Sequence, residues 1–515
     1  MNYFFKKIIR KKSTLLLSEE ISDNPHKLHK TLTAVDLTAF GIAAIVGAGI
    51  FSTIGQAVVH GGTAVSLLFL FTAISCGLSA LCYAEFASSV PLSGSAYTYA
   101  YVSFGEMIAW IVGWNLVLEY AVSNVAVALS WSDYFTSLMT GFGIHVPSEF
   151  MIFNHLISID FPAFIITILI TWICYIGIKE SKNASNVLVL MKLAVILLVL
   201  IVGAFYIKPE NWTPFAPHGV SGVMFGISSV FFAYIGFDAI STTAEECKDP
   251  QRDLPKAMMW SLGISTVIYI AITFVLTGMV PYHLLGVGDP LAFVFEKVGL
   301  NFLAGIVSLV SVVTLSSVML VYQLGQPRIW MSMSRDGLLP KIFSSVHPKF
   351  RTPSFATILM GFVVGVPALF ADLKDVIDLT SMGTLFAFAL VCGGVLIRDK
   401  TGENANAKFK IIYLNSRYYL PPMVLGLIWL LWSQLSGFAY HPDKLTVVLF
   451  FCLGIIFSLV AIWKQLSIIP VLGLLSNLYL MSELGTMNWI RFLIWLVIGV
   501  GIYLVYGIKN SKLNV

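Results

Sequence analysis

From Leu445 to Trp463 the chain reads LTVVLFFCLGIIFSLVAIW without one charged residue. Nothing else in the sequence constrains the fold as strongly. Roughly 20 consecutive apolar residues cross the hydrocarbon core of a bilayer as a helix. In lipid, every backbone N–H and C=O must find its partner inside a helix or a closed barrel. The run is one of many. Fourteen candidate spans follow from the pattern, at about 34–57, 62–88, 107–135, 161–178, 184–206, 219–243, 257–280, 302–326, 355–371, 376–397, 420–436, 445–463, 468–482 and 489–508. The thirteenth is the weakest: it is short, starts beside Pro470 and contains Ser476 and Asn477. The alternating ten-residue pattern of an outer-membrane barrel is absent. Only 11% of residues are charged and mean hydropathy is +0.86, whereas a soluble domain carries about a quarter charged residues. The fold class is an all-α polytopic membrane protein.

The distribution of basic residues orients it. With the N-terminus inside, 25 of the 31 Lys and Arg fall on the cytoplasmic face, five on the opposite face (Lys208, Lys297, Lys374, Lys444 and Arg491), and Lys192 within a span. Cytoplasmic loops hold such an excess, so both termini are expected inside. A twelve-span version lacking the last two spans keeps that orientation. The net charge of +4 reflects this bias and gives no reason to expect a nucleic-acid partner. The polar, charged first thirty or so residues do not resemble a signal peptide, whose apolar core follows a short basic start. Six scattered cysteines and nine histidines show no ligand spacing, so no metal site and no disulfide framework are expected. No HExxH, nucleophile elbow or carboxylate–His pairing appears, which speaks against an enzyme.

Two spans are interrupted. In the first, GIAAIVGAGIF (Gly41 to Phe51), Gly47 and Gly49 flank Ala48; in the sixth, FFAYIGFDAISTTAEE (Phe231 to Glu246), Gly236 sits in mid-run. Glycine costs a helix about 1 kcal/mol relative to alanine. Close helix packing is one use for such small residues. The other is a helix broken at membrane depth, and interruptions at corresponding positions of two halves point to a transporter site. In a five-plus-five inverted repeat, spans one and six correspond. The half-helix after Gly47-Ala48-Gly49 would point its first amides and its positive dipole end at an anion. Carbonyls freed near Ile45 and around Phe232, Ala233 and Ile235 would accept from a cation. Such a site suits the carboxylate and ammonium of an α-amino acid.

Two ionisable residues lie well inside spans and are functional candidates on that ground. Lys192, in VLVLMKLAVILLV, is too deep to reach water comfortably. It is expected either to exchange a proton during transport or to tie helices together as a permanent ammonium. Glu119, in GWNLVLEYAVSNVAVAL, is expected to meet substrate or to act as a polar strut, with Asn115 and Asn124 nearby. Asp238 is a candidate cap for the second half of the sixth span. Asp36 and Glu85, near span ends, are expected to be structural or to belong to a gate. In the eighth span Ser316, Ser317, Tyr322 and Gln323 are polar, but Ser and Thr can simply bond back to their own helix.

Five stretches carry a resemblance: GIAAIVGAGIF, LCYAEFASSVPLSGSAYTYAY, GWNLVLEYAVS, FFAYIGFDAISTTAEECKDPQRDLP and GQPRIWMSMSRDGLLP. With these the chain resembles the amino acid–polyamine–organocation (APC) superfamily, and more closely its cationic amino acid transporter branch, from about Thr31 to Pro367. The resemblance implies an APC-type five-plus-five inverted repeat with additional C-terminal spans, working by alternating access around the broken helices. On that pattern residues 1–32 form a cytoplasmic tail, 33–207 the first repeat, 208–400 the second, 401–418 a cytoplasmic loop, 419–508 the added spans and 509–515 a second tail. It implies a substrate carboxylate at the backbone of Gly47, Ala48, Gly49 and Ile50, and a substrate ammonium at carbonyls of Ile45, Phe232 and Ile235, with Ala233 and Gly236 beside them. Phe232 would be an aromatic gate, Lys192 the proton-coupling residue and Glu119 a residue of the binding site. Some relatives have serine at Ala48, so a hydroxyl is missing here while the amide remains.

The expected function is secondary active amino acid transport in the cell membrane, with the proton as coupling ion and no other cofactor. The substrate is cationic, small and neutral, or both. Uncoupled exchange of arginine, lysine or ornithine is the alternative. A channel would need rings of pore-lining polar groups, and a sensor a soluble output domain; the sequence offers neither. Beyond substrate and lipid bilayer, a small peripheral membrane subunit and the oligomeric state are left open.

Overall fold

The computed structural model describes residues 10–11, 32–89, 95–147, 149–152, 155–177, 182–401, 409–430 and 445–514. Most of the expected tail 1–32, residues 402–408 of the loop 401–418, Lys444 and the eleventh span beyond Leu430 lie outside the described residues. A helix or a broken pair of helices occupies each expected span: Ala34–Ile45 with Ile54–Gly61, Val65–Ser89, Glu106–Gly141, Phe161–Ile176, Lys182–Ala204, Gly219–Phe225 with Ile227–Phe232, Pro250–Met279, Asn301–Arg335, Ser354–Ala368, Leu373–Thr401, Ser416–Leu430, Leu445–Lys464, Ile468–Glu483 and Thr486–Ile502. These are called spans one to fourteen below. Among the described residues, eight stretches are long and apolar enough to cross a membrane unaided, and the sixth span is bent by 44°. A two-stranded antiparallel hairpin, Glu149–Ile152 with His155–Ser158, sits between spans three and four.

The third span is 36 residues long, about 54 Å at 1.5 Å per residue. It is therefore longer than a hydrocarbon core of about 30 Å. It packs along the equally long eighth span. Asn124 Nδ2 donates to Gln323 Oε1 at 2.6 Å, Gln323 Nε2 to Thr171 Oγ1 of the fourth span at 2.7 Å, and Gln326 Nε2 to the Val117 carbonyl at 2.7 Å. Asn115 reaches the tenth span instead, at the Gly383 carbonyl, 2.7 Å away. The two asparagines flanking Glu119 are thus helix ties. Amide side chains buried in lipid need such partners.

The thirteenth span owes its place to the two residues that weaken its hydropathy. Asn477 Nδ2 donates to Ser79 Oγ at 2.8 Å and Ser75 Oγ to Ser476 Oγ at 2.9 Å, both on the second span. Spans eleven to thirteen share a small separate core around Leu420, Phe450 and Val471. The fourteenth packs on the third: Trp114 and Trp495 stack at 4.4 Å, and Trp110 Nε1 donates to the Gly499 carbonyl at 2.8 Å. Glu85, expected near a span end, accepts from the Ile411 amide at 3.0 Å and so ties the loop after the tenth span to the second. Asp36 forms a capping box with Thr33 at the start of the first span, satisfying amides that a helix start leaves open.

On the tail side one buried carboxylate holds both ends of the chain. Glu106, fully buried at the start of the third span, accepts from Tyr503 (2.9 Å), Tyr101 (3.1 Å), Ser511 and the Arg10 guanidinium (3.5 Å). Arg10 in turn donates to the Leu513 carbonyl at 2.8 Å. Replacing one member of a buried ion pair costs about 3–5 kcal/mol. Glu106→Ala should therefore lower the melting temperature of the detergent-solubilised protein clearly, while Glu106→Gln, which still accepts hydrogen bonds, should lose less. Equal melting for all three proteins would show that this knot contributes nothing.

Candidate transport site

The two breaks fall where the glycines predict and lie against each other. The first helix ends at Val46, a wide turn covers Gly49–Thr53, and a second helix runs Ile54–Gly61. In the sixth span, helix Ile227–Phe232 gives way to a turn, and 3₁₀ winding resumes at Phe237–Glu246. Gly236 bridges the two with φ of +116°, a conformation that side chains rarely tolerate. The contact is reciprocal. A methyl group on Gly49 would overlap the Cα of Ala233, and one on Gly236 would come within 2.8 Å of the Ala44 carbonyl oxygen. Each break thus seats its glycine against an alanine of the other. Thr53 Oγ1 lies 2.6 Å from the Gly49 carbonyl and 3.1 Å from that of Ser229, closing the second half of the crossing.

Backbone groups at the crossing are divided between protein partners and the start of the second half-helix. The amides of Ile50 and Phe51 turn back to the Gly47 carbonyl at 3.2 and 3.3 Å. The amides of Ala48 and Gly49 open the half-helix, where intrahelical acceptors are missing and the dipole is positive. Among the carbonyls, that of Phe232 accepts from the Ile235 amide at 3.2 Å. Those of Ile45 and Ala233 both lie 2.9 Å from the hydroxyl of Tyr269, on the seventh span. One buried tyrosine thus bridges the two breaks. Sequence reasoning missed it, although a lone Tyr inside STVIYIAITF is a signal in itself: a hydroxyl in lipid must find an acceptor.

Lys192 is brought to the same place. Its Nζ donates to the carbonyl of Ala43 at 3.2 Å, on the last turn of the first half-helix, and the side chain is only 4% exposed. Glu119, also 4% exposed, is a second buried ionisable group, linked to the sixth-span break through Asp238. Its Oε2 has no hydrogen-bond partner. Its charge interacts with that of Asp238, and Thr384 of the tenth span lies beside it. Tyr83, Tyr120 and Tyr322 lie within electrostatic range of the same pair of carboxylates. Gly236, whose φ favours glycine, takes the cap position of the second half of the sixth span. Asp238 is the second residue of the winding, where its carboxylate meets its own backbone amide and those of Gly236 and Ala239 and so serves that helix start from within its first turn; it also belongs to the carboxylate cluster.

Other expected residues are placed less centrally. Phe232 is buried at the end of its helix. Its neighbour Phe231 meets Phe388 at 5.9 Å, within a cluster that includes Phe237 and Tyr83. Ser316 and Ser317 bond back to their own helix at 2.8 and 2.9 Å. The arrangement as a whole offers helix-start amides for an anion, carbonyls for an ammonium, one buried lysine and two buried carboxylates. Among the described residues no group of side chains is arranged to hold a metal ion.

Comparison with known proteins agrees with this geometry. The family model described as amino acid permease matches residues 32–499. The chain is 38% identical to the methylthioribose transporter of Bacillus subtilis, over 98% of this chain and 99% of that protein. It is likewise 38% identical to the branched-chain amino acid permease BcaP of the same organism, over the same shares. It is 36% identical to the vacuolar cationic amino acid transporter 4 of Arabidopsis thaliana, over 73% of this chain and 64% of that one. Broken helices, the charges beside them and a match across almost the whole length lead to one conclusion: the chain belongs to the amino acid permease family of transporters.

Proposed function

We propose that the chain is a proton-coupled symporter that takes up α-amino acids across the cell membrane by alternating access. The observation that carries this reading is the docking of the Lys192 ammonium on the Ala43 carbonyl beside the first break. A charge-assisted hydrogen bond is roughly twice as strong as a neutral one. Loss of the proton would therefore loosen the hold of the fifth span on the first half-helix, and movement of that half-helix would follow. The substrate carboxylate would meet the Ala48 and Gly49 amides, with its ammonium near the Ile45 and Ala233 carbonyls. The unpaired Oε2 of Glu119, within electrostatic range of Asp238 and three tyrosines, supports a substrate side chain that is cationic or polar as well as one that is small and neutral. Relatives named for branched-chain and for cationic amino acids support amino acids as a class without choosing among them.

A second reading, uncoupled exchange, draws on the same bond, because a permanently protonated Lys192 could make it equally. Uptake of labelled leucine, alanine, arginine and methylthioribose by proteoliposomes, with and without an inward proton gradient, separates the two. Symport predicts that at least one amino acid accumulates above equilibrium only when the gradient is present. Exchange that ignores the gradient would overturn the coupling, and uptake of methylthioribose alone would overturn the substrate class.

A further inference from the structure

On the side of the membrane expected to lie away from the tails, the ends of the fifth and seventh spans and of the helix Pro290–Lys297 border an open cleft of about 570 Å³ lined by Phe205, Tyr206, Lys208, Pro281, Leu284 and Lys297, among others. We propose that it binds the phosphodiester headgroup of an anionic phospholipid, with the phosphate between the Lys208 and Lys297 ammoniums and an acyl chain against Phe205 and Leu284. Of the five basic residues that the sequence pattern assigns to this face, two line this one cavity. The carboxylates nearest in sequence, Glu210 and Glu296, are not among the residues that line it. Lys297 lies 5.0 Å from the centre of the Phe293 ring, an attraction that positions the ammonium while using none of its N–H donors. The apolar wall faces outward, with Phe205 84% exposed at the end of its span. Aromatic side chains at that level and long cationic ones reaching past them are how proteins meet a headgroup layer.

The walls are fixed in advance. The Lys208 amide donates to the Gly278 carbonyl at 2.9 Å, Asn211 Nδ2 to the same carbonyl at 2.8 Å, and Trp212 Nε1 to that of Phe274 at 3.1 Å. A lipid held here would brace the fifth span, which carries Lys192, against the seventh, which carries Tyr269. Lipid binding stands independently of the proposed coupling and substrate.

The test is thermal melting of the full chain in detergent with added phosphatidylglycerol, phosphatidylcholine or inorganic phosphate. Phosphatidylglycerol should raise the melting temperature by about 4 °C at saturating amounts, and the other two should not. In Lys208→Gln/Lys297→Gln the shift should vanish while the lipid-free melting temperature stays near that of the parent, and Lys208→Arg/Lys297→Arg should restore it. An equal shift with phosphatidylcholine, an unchanged shift in the Gln pair, or a lipid-free melting temperature already lowered in both pairs would overturn the proposal. A shift with inorganic phosphate alone would make the cavity a free-anion site and overturn the lipid assignment.

Discussion

Lys192→Met should abolish gradient-driven accumulation in proteoliposomes, by on the order of 100-fold, the upper range of coupling energies between sites. Methionine fills the same space but makes no bond to the Ala43 carbonyl, now 3.2 Å from the ammonium. The first half-helix then loses a contact near its break whose strength depends on a proton. Lys192→Arg sharpens the argument, because a guanidinium stays charged throughout. It should keep counterflow exchange of the substrate and lose the response to the gradient. Accumulation that persists in the Met variant would place coupling elsewhere, with Glu119 and Asp238 next in line. Loss of exchange as well as accumulation in both variants would make Lys192 a strut and favour the uncoupled reading.

The features that were legible in the sequence are those a single segment determines. An apolar run of about 20 residues has little choice but to span, so the spans, including the weak thirteenth, are found where their composition puts them. Glycine announces a position where a side chain cannot sit, which is why both breaks are where they were expected. Lys192 and Glu119 stood out because charge in lipid is expensive. What could not be read is what two distant segments do together. Tyr269 looks like one more aromatic residue until the Ile45 and Ala233 carbonyls are seen on either side of its hydroxyl. Glu106 gives no sign, in sequence, of gathering Arg10 and Ser511 from the two ends of the chain. Asp238 was expected at the cap position because Asp often sits there; the φ of +116° gives that position to Gly236, and Asp238 meets the amides of the helix start from two residues further in. Asn115 and Asn124 flank Glu119 along the chain, yet their amides bond to Gly383 and Gln323 on other spans.

The two glycines of GAG should differ sharply when each becomes alanine. Gly49→Ala should abolish uptake, because the new methyl overlaps the Cα of Ala233, a backbone atom with no rotamer to yield. The first break would have to move off the sixth, and displacement of about 1 Å at a reacting or binding centre costs on the order of 100-fold. Overpacking also destabilises, by about 1–3 kcal/mol, so the variant should melt lower as well. Gly47→Ala meets nothing closer than a methyl of Val318, at 3.7 Å, and its φ lies in the range that any residue adopts. It should fold and transport much as the parent does. Trimming the partner should not rescue Gly49→Ala: Ala233→Gly removes a methyl, but the overlap with Cα remains. Gly236→Ala belongs with Gly49→Ala, since it adds a strained φ to a 2.8 Å approach to the Ala44 carbonyl. If Gly47→Ala silences transport while melting normally, the space beside Gly47 is used by the substrate itself. If Gly49→Ala transports normally, the two broken helices separate during the cycle further than this crossing allows, and the reciprocal contact is not what holds the site together.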